Sequence, residues 1–257
     1  MKKLLLTLAA ACMVSFTFAQ DALLWMRHCA ISPDGTTIAF TYKGDIYTVP
    51  VGGGRAMQLT TNPAHDTEPV WSPDSKRIAF ASDRMGSMDV YIVSKEGGER
   101  RLTTHSGSET PVAFSDAGHI LFSADIMPSA ETVLFPSNGQ FRQVYKVSVE
   151  GGRPVLYSPM PMERISINKE GVILYQDKKG YEDYWRKHQV SPIARDIWMY
   201  TPDEKPAYRQ LTAFGGEDRE PVWAPDGKSF YYLSEENGTF NVYQRTPGAT
   251  SATQVTR

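Results

Sequence analysis

The chain has 257 residues, 41% of them hydrophobic, and a formal net charge of -2. It is long enough to bury a large core, and its composition is not that of a disordered chain. Lysine and arginine are scattered with no basic stripe, which excludes nucleic acid and an anionic membrane surface as partners.

Residues 1–19 read as a signal peptide: Lys2 and Lys3 form a positive start, Leu4 to Phe18 an apolar run, and Thr17-Phe18-Ala19 a cleavage site ahead of Gln20. The apolar run is about 15 residues, short of the roughly 20 needed to span a bilayer, so no membrane insertion is expected after signal removal. Cys12 lies inside that run, but Ala9 stands where lipid attachment would want a branched apolar residue. Cleavage leaves Cys29 alone, so no internal disulfide is available. A small buried side chain at the start of an inner strand is the expected role of Cys29.

From residue 20 onward one unit repeats. Its clearest copy runs from Glu68-Pro69-Val70-Trp71-Ser72-Pro73-Asp74 through Ile78-Ala79-Phe80 and Asp89-Val90-Tyr91 to Arg101-Leu102-Thr103. That is strand, turn, strand, strand, glycine turn and strand, in roughly 40 residues, the mark of a β-propeller blade. Turns align at Ser32-Pro33-Asp34-Gly35, Ser72-Pro73-Asp74-Ser75, Ser115-Asp116-Ala117-Gly118, Asn168-Lys169-Glu170-Gly171 and Ala224-Pro225-Asp226-Gly227. Proline presets φ, aspartate bonds its own backbone and glycine tolerates positive φ, so each segment reverses the chain. The strands that follow are continuously apolar, as in Ile120-Leu121-Phe122, which suits sheets covered on both faces.

The predicted architecture is therefore all-β, with blades near 28–61, 66–104, 108–158, 163–213 and 218–257. The third and fourth carry extra residues between their second and third strands, at 125–142 and 177–195. In an antiparallel blade that loop shares a rim with the connection to the next blade, so both insertions are expected on one mouth. Asp21 to Arg27 reads as an extra strand before the first blade, and Thr256-Arg257 follows a fourth strand directly. Five blades could close a ring, but the expectation is an unfinished one, at least one blade short, at the front of a longer protein.

No catalytic site is legible. No Gly-x-Ser-x-Gly elbow occurs, no histidine precedes a glutamate, and one mature cysteine cannot build a thiolate metal site. Neither a metal nor a cofactor is expected. Gly52-Gly53-Gly54 reads as a hairpin turn, and so does Asn237-Gly238 despite its formal match to a glycosylation acceptor. Asp66, Glu68, Glu109, Glu163, Asp218 and Glu220 fall near the entrances of inner strands. They either ring a central channel or serve as solvated and backbone-bonding carboxylates. The insertion segment with Tyr181, Trp185, Arg186, Lys187 and His188, followed by Arg195, has the aromatic and cationic mix of a surface for a peptide or an anionic terminus. Packing of Tyr184 and Trp185 over the blade edge is the alternative.

The repeated Ser-Pro-Asp-Gly, Ile-Ala-Phe, Asp-Ile-Tyr and Gln-Leu-Thr resembles the propeller repeat of TolB, prolyl oligopeptidases and tricorn-like peptidases. The stretches Gly180 to His188, Arg195-Asp196-Ile197-Trp198 and Gly216 to Trp223 are closest to the tricorn-like group. That resemblance implies a six-bladed first propeller followed by a second propeller, a PDZ domain and a serine peptidase core. It implies peptides or unfolded segments, and the downstream domains of the same polypeptide, as partners, with homo-oligomerisation left open. The export signal departs from the cytosolic archaeal member and implies a periplasmic or secreted peptidase whose propeller gates substrate without catalytic residues. A TolB-like periplasmic scaffold with no enzymatic activity is the alternative.

Overall fold

The computed structural model describes residues 25–124, 126, 142–180, 190–202, 205 and 207–257. Its strands form five separate four-stranded antiparallel sheets, each in sequential order. Blade 1 holds β1 (Arg27–Ile31), β2 (Thr37–Tyr42), β3 (Asp45–Pro50) and β4 (Met57–Gln58). Blade 2 holds β5 (Asp66–Trp71), β6 (Arg77–Ser82), β7 (Asp89–Ser94) and β8 (Gly97–Arg101). Blade 3 holds β9 (Glu109–Asp116), β10 (His119–Ala124), β11 (Gln143–Ser148) and β12 (Val155–Ser158). Blade 4 holds β13 (Glu163–Ile167), β14 (Ile173–Gln176), β15 (Ile197–Tyr200) and β16 (Tyr208–Gln210). Blade 5 holds β17 (Asp218–Trp223), β18 (Phe230–Ser234), β19 (Asn241–Arg245) and β20 (Thr253–Gln254).

The turns work as their chemistry requires. Gly35 N–H donates to Ser32 O at 2.8 Å, and Gly35 takes a φ of 71°. Asp34 accepts from Ser32 Oγ at 2.5 Å and Thr36 N at 3.0 Å. The Ser32 hydroxyl bond, joined by those from Thr36, draws the Asp34 carboxyl down to about 2. Ser72 and Asp74 repeat the arrangement at 2.6 Å. A second recurring device pins the outer strand: Ile46, Val90, Ile197 and Val242 each donate their N–H at 2.9 Å to the hydroxyl of Thr60, Thr103, Thr212 and Thr256.

The core is laid down between blades rather than within them. Ala79, Val90, Ile92 and Leu102 of blade 2 meet Phe114, Ile120, Phe122, Tyr145 and Val147 of blade 3. Ala113, Leu121 and Val144 of blade 3 meet Ile173 and Tyr175 of blade 4. Leu174, Ile197 and Leu211 then meet Phe230, Tyr232 and Tyr243. Alternation along a strand explains the rule: the middle residue of each apolar triplet points to the next blade, and its two neighbours point to the preceding one.

Inner strands pack in sequence, β1 on β5, β5 on β9, β9 on β13 and β13 on β17. Among the described residues no packing of similar extent joins blade 5 to blade 1. Val222 and Val255 are accordingly 56% and 52% exposed, and Ile31 on the opposite flank is 60% exposed. Their counterparts inside the ring are covered.

One expectation is corrected. Cys29 is exposed rather than buried, because β1 borders both the central cavity and the uncovered flank of the ring. Of the extra strand expected at 21–27, Arg27 belongs to β1 itself, Trp25 and Met26 are not in a strand, and 21–24 lie outside the described residues.

Candidate functional site

The inner strands of all five blades line one central cavity of about 1510 Å³. One end is framed by the reversing turns and includes Pro33, Pro73, Ala117, Glu170 and Asp226. The other is framed by the inner-strand starts and the bases of both insertions, where Arg142, Lys178 and Arg195 line the wall. The described bases of both insertions share this mouth.

Each inner strand is interrupted just inside that mouth by a bulge. Register breaks fall between Arg27 and Ala30, Thr67 and Val70, Glu163 and Ser166, and Arg219 and Val222. At the first bulged position stand His28, Glu68, Arg164 and Glu220, with φ of 50°, 53°, 52° and 54°. Blade 3 places Pro111 there, opposite Phe122, and proline cannot reach positive φ. A bulge redirects the local side chain, and all four of these residues line the cavity. They form a ring of titratable groups in one stratum of the channel.

The ring is electrically coupled. Arg164 Nε lies 3.2 Å from Glu220 Oε1, an ion pair between neighbouring blades. His28 Nδ1 lies 2.8 Å from Thr67 Oγ1 on the adjoining blade. Burial pushes the His28 imidazole below its ordinary value, with the Glu68 carboxylate pulling the other way and Arg164 and Arg27 reinforcing the fall. That fall favours the neutral form of His28 at pH 7.

Of the residues expected to bind, Arg195 alone is described; Tyr181, Trp185, Arg186, Lys187 and His188 lie outside the described residues, as do Ala19 and Gln20. Arg195 is a partly buried clamp as well as a wall residue. Its Nη1 meets Glu217 Oε1 at 2.6 Å and its Nε meets Glu163 Oε2 at 3.4 Å, tying blade 4 to blade 5. Burial opposes ionisation of Glu163, but the Gln176 hydrogen bond and the charges of Lys178 and Arg195 outweigh it and hold the carboxyl below its usual value. The six carboxylates divide. Glu68, Glu163 and Glu220 line the cavity, whereas Asp66, Glu109 and Asp218 are buried inside their blades. Asp66 is ion-paired to Arg84 at 2.7 Å.

Sequence reasoning missed His28, Arg164 and Arg142. Arg142, just before Gln143, sits on blade 3 where Arg195, just before Asp196, sits on blade 4, and it donates to Ser108 O at 2.7 Å and Ser123 O at 2.6 Å. Aligning the residues that precede each third strand would have paired them. His28 and Arg164 required knowledge of the bulge, because Arg164 directly follows Glu163 whereas Glu68 stands two residues beyond Asp66. Among the described residues no group of three or more His, Cys, Asp or Glu side chains is placed to hold a metal.

Residues 24–257 match the family model described as the tricorn protease N-terminal β-propeller domain. Tricorn protease homolog 1 of Streptomyces coelicolor is 26% identical over 211 residues, covering 82% of this chain and 19% of the relative. The crystal structure of the tricorn protease superposes with a TM-score of 0.70 at 17% identity, over 89% of this chain and 22% of that one. A putative TolB from Agrobacterium tumefaciens superposes at 0.68 and 14% identity, over 90% of this chain and 80% of that one. This chain thus spans about a fifth of the length of the tricorn proteins it matches.

Proposed function

Because the chain belongs to the tricorn protease N-terminal β-propeller family, we propose that it is the noncatalytic, peptide-recognising and substrate-gating propeller of an exported tricorn-like serine peptidase. The observation that carries this reading is the central cavity, lined by five inner strands and edged at one mouth by the bases of both insertions. At about 1510 Å³ it exceeds the usual 300–1,000 Å³ of small-molecule sites and suits an extended peptide. Its wall offers paired and unpaired charges, the equipment for recognition. The Lys2-Lys3 start and apolar run support a periplasmic or secreted location. A sixth blade between blades 5 and 1 completes the ring in this reading, and a Ser-His peptidase core in the same polypeptide supplies the chemistry.

Fluorescence anisotropy with labelled decapeptides tests the recognition role. Wild type binds, and Trp185→Ala or the double variant Arg186→Ala/Lys187→Ala weakens binding at least fivefold. Failure of every peptide to bind would refute it. The likeness to TolB favours a second reading, a periplasmic binding scaffold without an attached enzyme. Affinity capture from envelope extracts separates the two: a stable protein partner with no peptide binding supports the scaffold.

A further inference from the structure

The stratum of four bulge residues has a charge balance that specifies a ligand, on the premise that peptides occupy the channel. Placing an L-residue in the left-handed region strains the backbone, and glycine would relieve it. Blades 1, 2, 4 and 5 instead carry His28, Glu68, Arg164 and Glu220 there. Strain that recurs at one level of a cavity, always with a titratable side chain, marks a stratum where those side chains meet a ligand.

Within the stratum the charges do not cancel. Arg164 and Glu220 neutralise each other at 3.2 Å. His28 is engaged with Thr67 Oγ1 at 2.8 Å, and partial desolvation in the channel lowers its imidazole from the ordinary value, which favours the neutral form. Glu68 remains: it lines the cavity, is half-buried, and has no ion-pair partner within 4.0 Å among the described residues. Blade 3 contributes only Pro111 at this level, so no fifth charge compensates it.

We propose that Glu68 anchors a subsite in the channel for a single cationic group of a peptide, either its α-ammonium or a lysine or arginine side chain. The Arg164–Glu220 pair stands on the wall formed by blades 4 and 5. Neutral as a pair, it leaves Glu68 as the one net negative charge among the described residues of the stratum, which one cation balances. Half-exposed, that pair remains solvated and does not compete for the cation.

The test uses one labelled peptide sequence in four versions: free or acetylated at its N-terminus, and carrying lysine or norleucine at one internal position. Each is titrated against the wild-type chain, Glu68→Gln and Glu68→Gly. Wild type should prefer at least one cationic version over the acetylated norleucine peptide by about tenfold, the scale of a charge-assisted hydrogen bond. Comparing the versions identifies α-ammonium or side chain as the group held. Glu68→Gln should erase the preference without weakening the neutral peptide. Glu68→Gly should do the same in a chain at least as stable as wild type, which excludes misfolding as the cause. Equal wild-type affinity for cationic and neutral peptides, or a preference that survives both substitutions, overturns the subsite alone. Failure of all four to bind overturns the peptide-binding premise with it.

Discussion

Replacing Asp218 by asparagine gives a pH-dependent stability change whose size follows from the site. Asp218 opens β17, is 2% exposed, and has an Oδ1 without a hydrogen-bond partner. Burial, opposed by the hydroxyls of Ser234 and Thr212 and reinforced by Asp196 and Glu236, pushes its carboxyl up to about 6 from an ordinary 3.8. The folded state therefore holds a proton between about pH 4 and 6 that the unfolded chain releases. Stability from this group is greatest below pH 4 and falls as pH rises through 6. A shift of about two units corresponds to roughly 3 kcal/mol, fully lost by pH 7.5. Asparagine carries no charge to bury. Urea unfolding followed by tryptophan fluorescence at half-unit intervals from pH 4 to 7.5 should show wild type losing stability relative to Asp218→Asn by roughly 3 kcal/mol across that range. All other carboxylates titrate in both proteins and cancel in the difference. Parallel profiles would refute the reasoning and show that Asp218 is ionised and compensated throughout.

Substitutions at three further sites probe how the blades are held. Phe122→Ala removes a fully buried ring stacked on Tyr145 at 5.7 Å between blades 2 and 3, and should cost about 3–5 kcal/mol in urea unfolding. Val222→Ala on the uncovered face of blade 5 should shift the same curve by less than about 0.5 kcal/mol, and comparable losses at the two sites would mean that this face is covered in solution. Thr103→Val leaves the buried Val90 N–H without its 2.9 Å acceptor and should cost about 1–3 kcal/mol, whereas Thr103→Ser, which keeps the hydroxyl, should recover most of it.

Much of the fold was legible because it rests on local chemistry repeated in register. Ser-Pro-Asp-Gly fixes a turn by its own hydrogen bonds, and Ile-Ala-Phe is apolar at every position because both of its faces meet another blade. The position of the insertions followed from counting strands. The site was less legible, since its key feature is a backbone irregularity. Two residues face one partner at each bulge, so Arg164, adjacent to Glu163, shares a level with Glu68, two residues beyond Asp66. Spacing alone places them out of phase. Cys29 was misread for a related reason: small and apolar argues burial only where a neighbouring blade supplies cover. Arg195 was read as a ligand-facing cation, and its two carboxylate partners come from segments 22 and 32 residues away, pairings that sequence does not reveal.

The same periodicity makes the uncovered flank of the ring interpretable. Ala79, Leu121 and Leu174 point to the next blade and are all 0% exposed. Tyr231 occupies the equivalent place on blade 5 and is only half-buried, with Val222 and Val255 open beside it. On blade 1, Ile38, Tyr47 and Val49 repeat the residues that in blade 2, as Ile78, Tyr91 and Val93, are covered by blade 1. The two flanks are thus the separated halves of an interface that occurs four times inside the molecule. In the proposed reading, one four-stranded unit of the same pattern, with an aliphatic forward face and a backward face of isoleucine, valine and aromatics, satisfies both at once. Its inner strand would also add a residue to the charged stratum between Glu220 and His28. The charge at that position would then set whether the proposed cation meets one carboxylate or two.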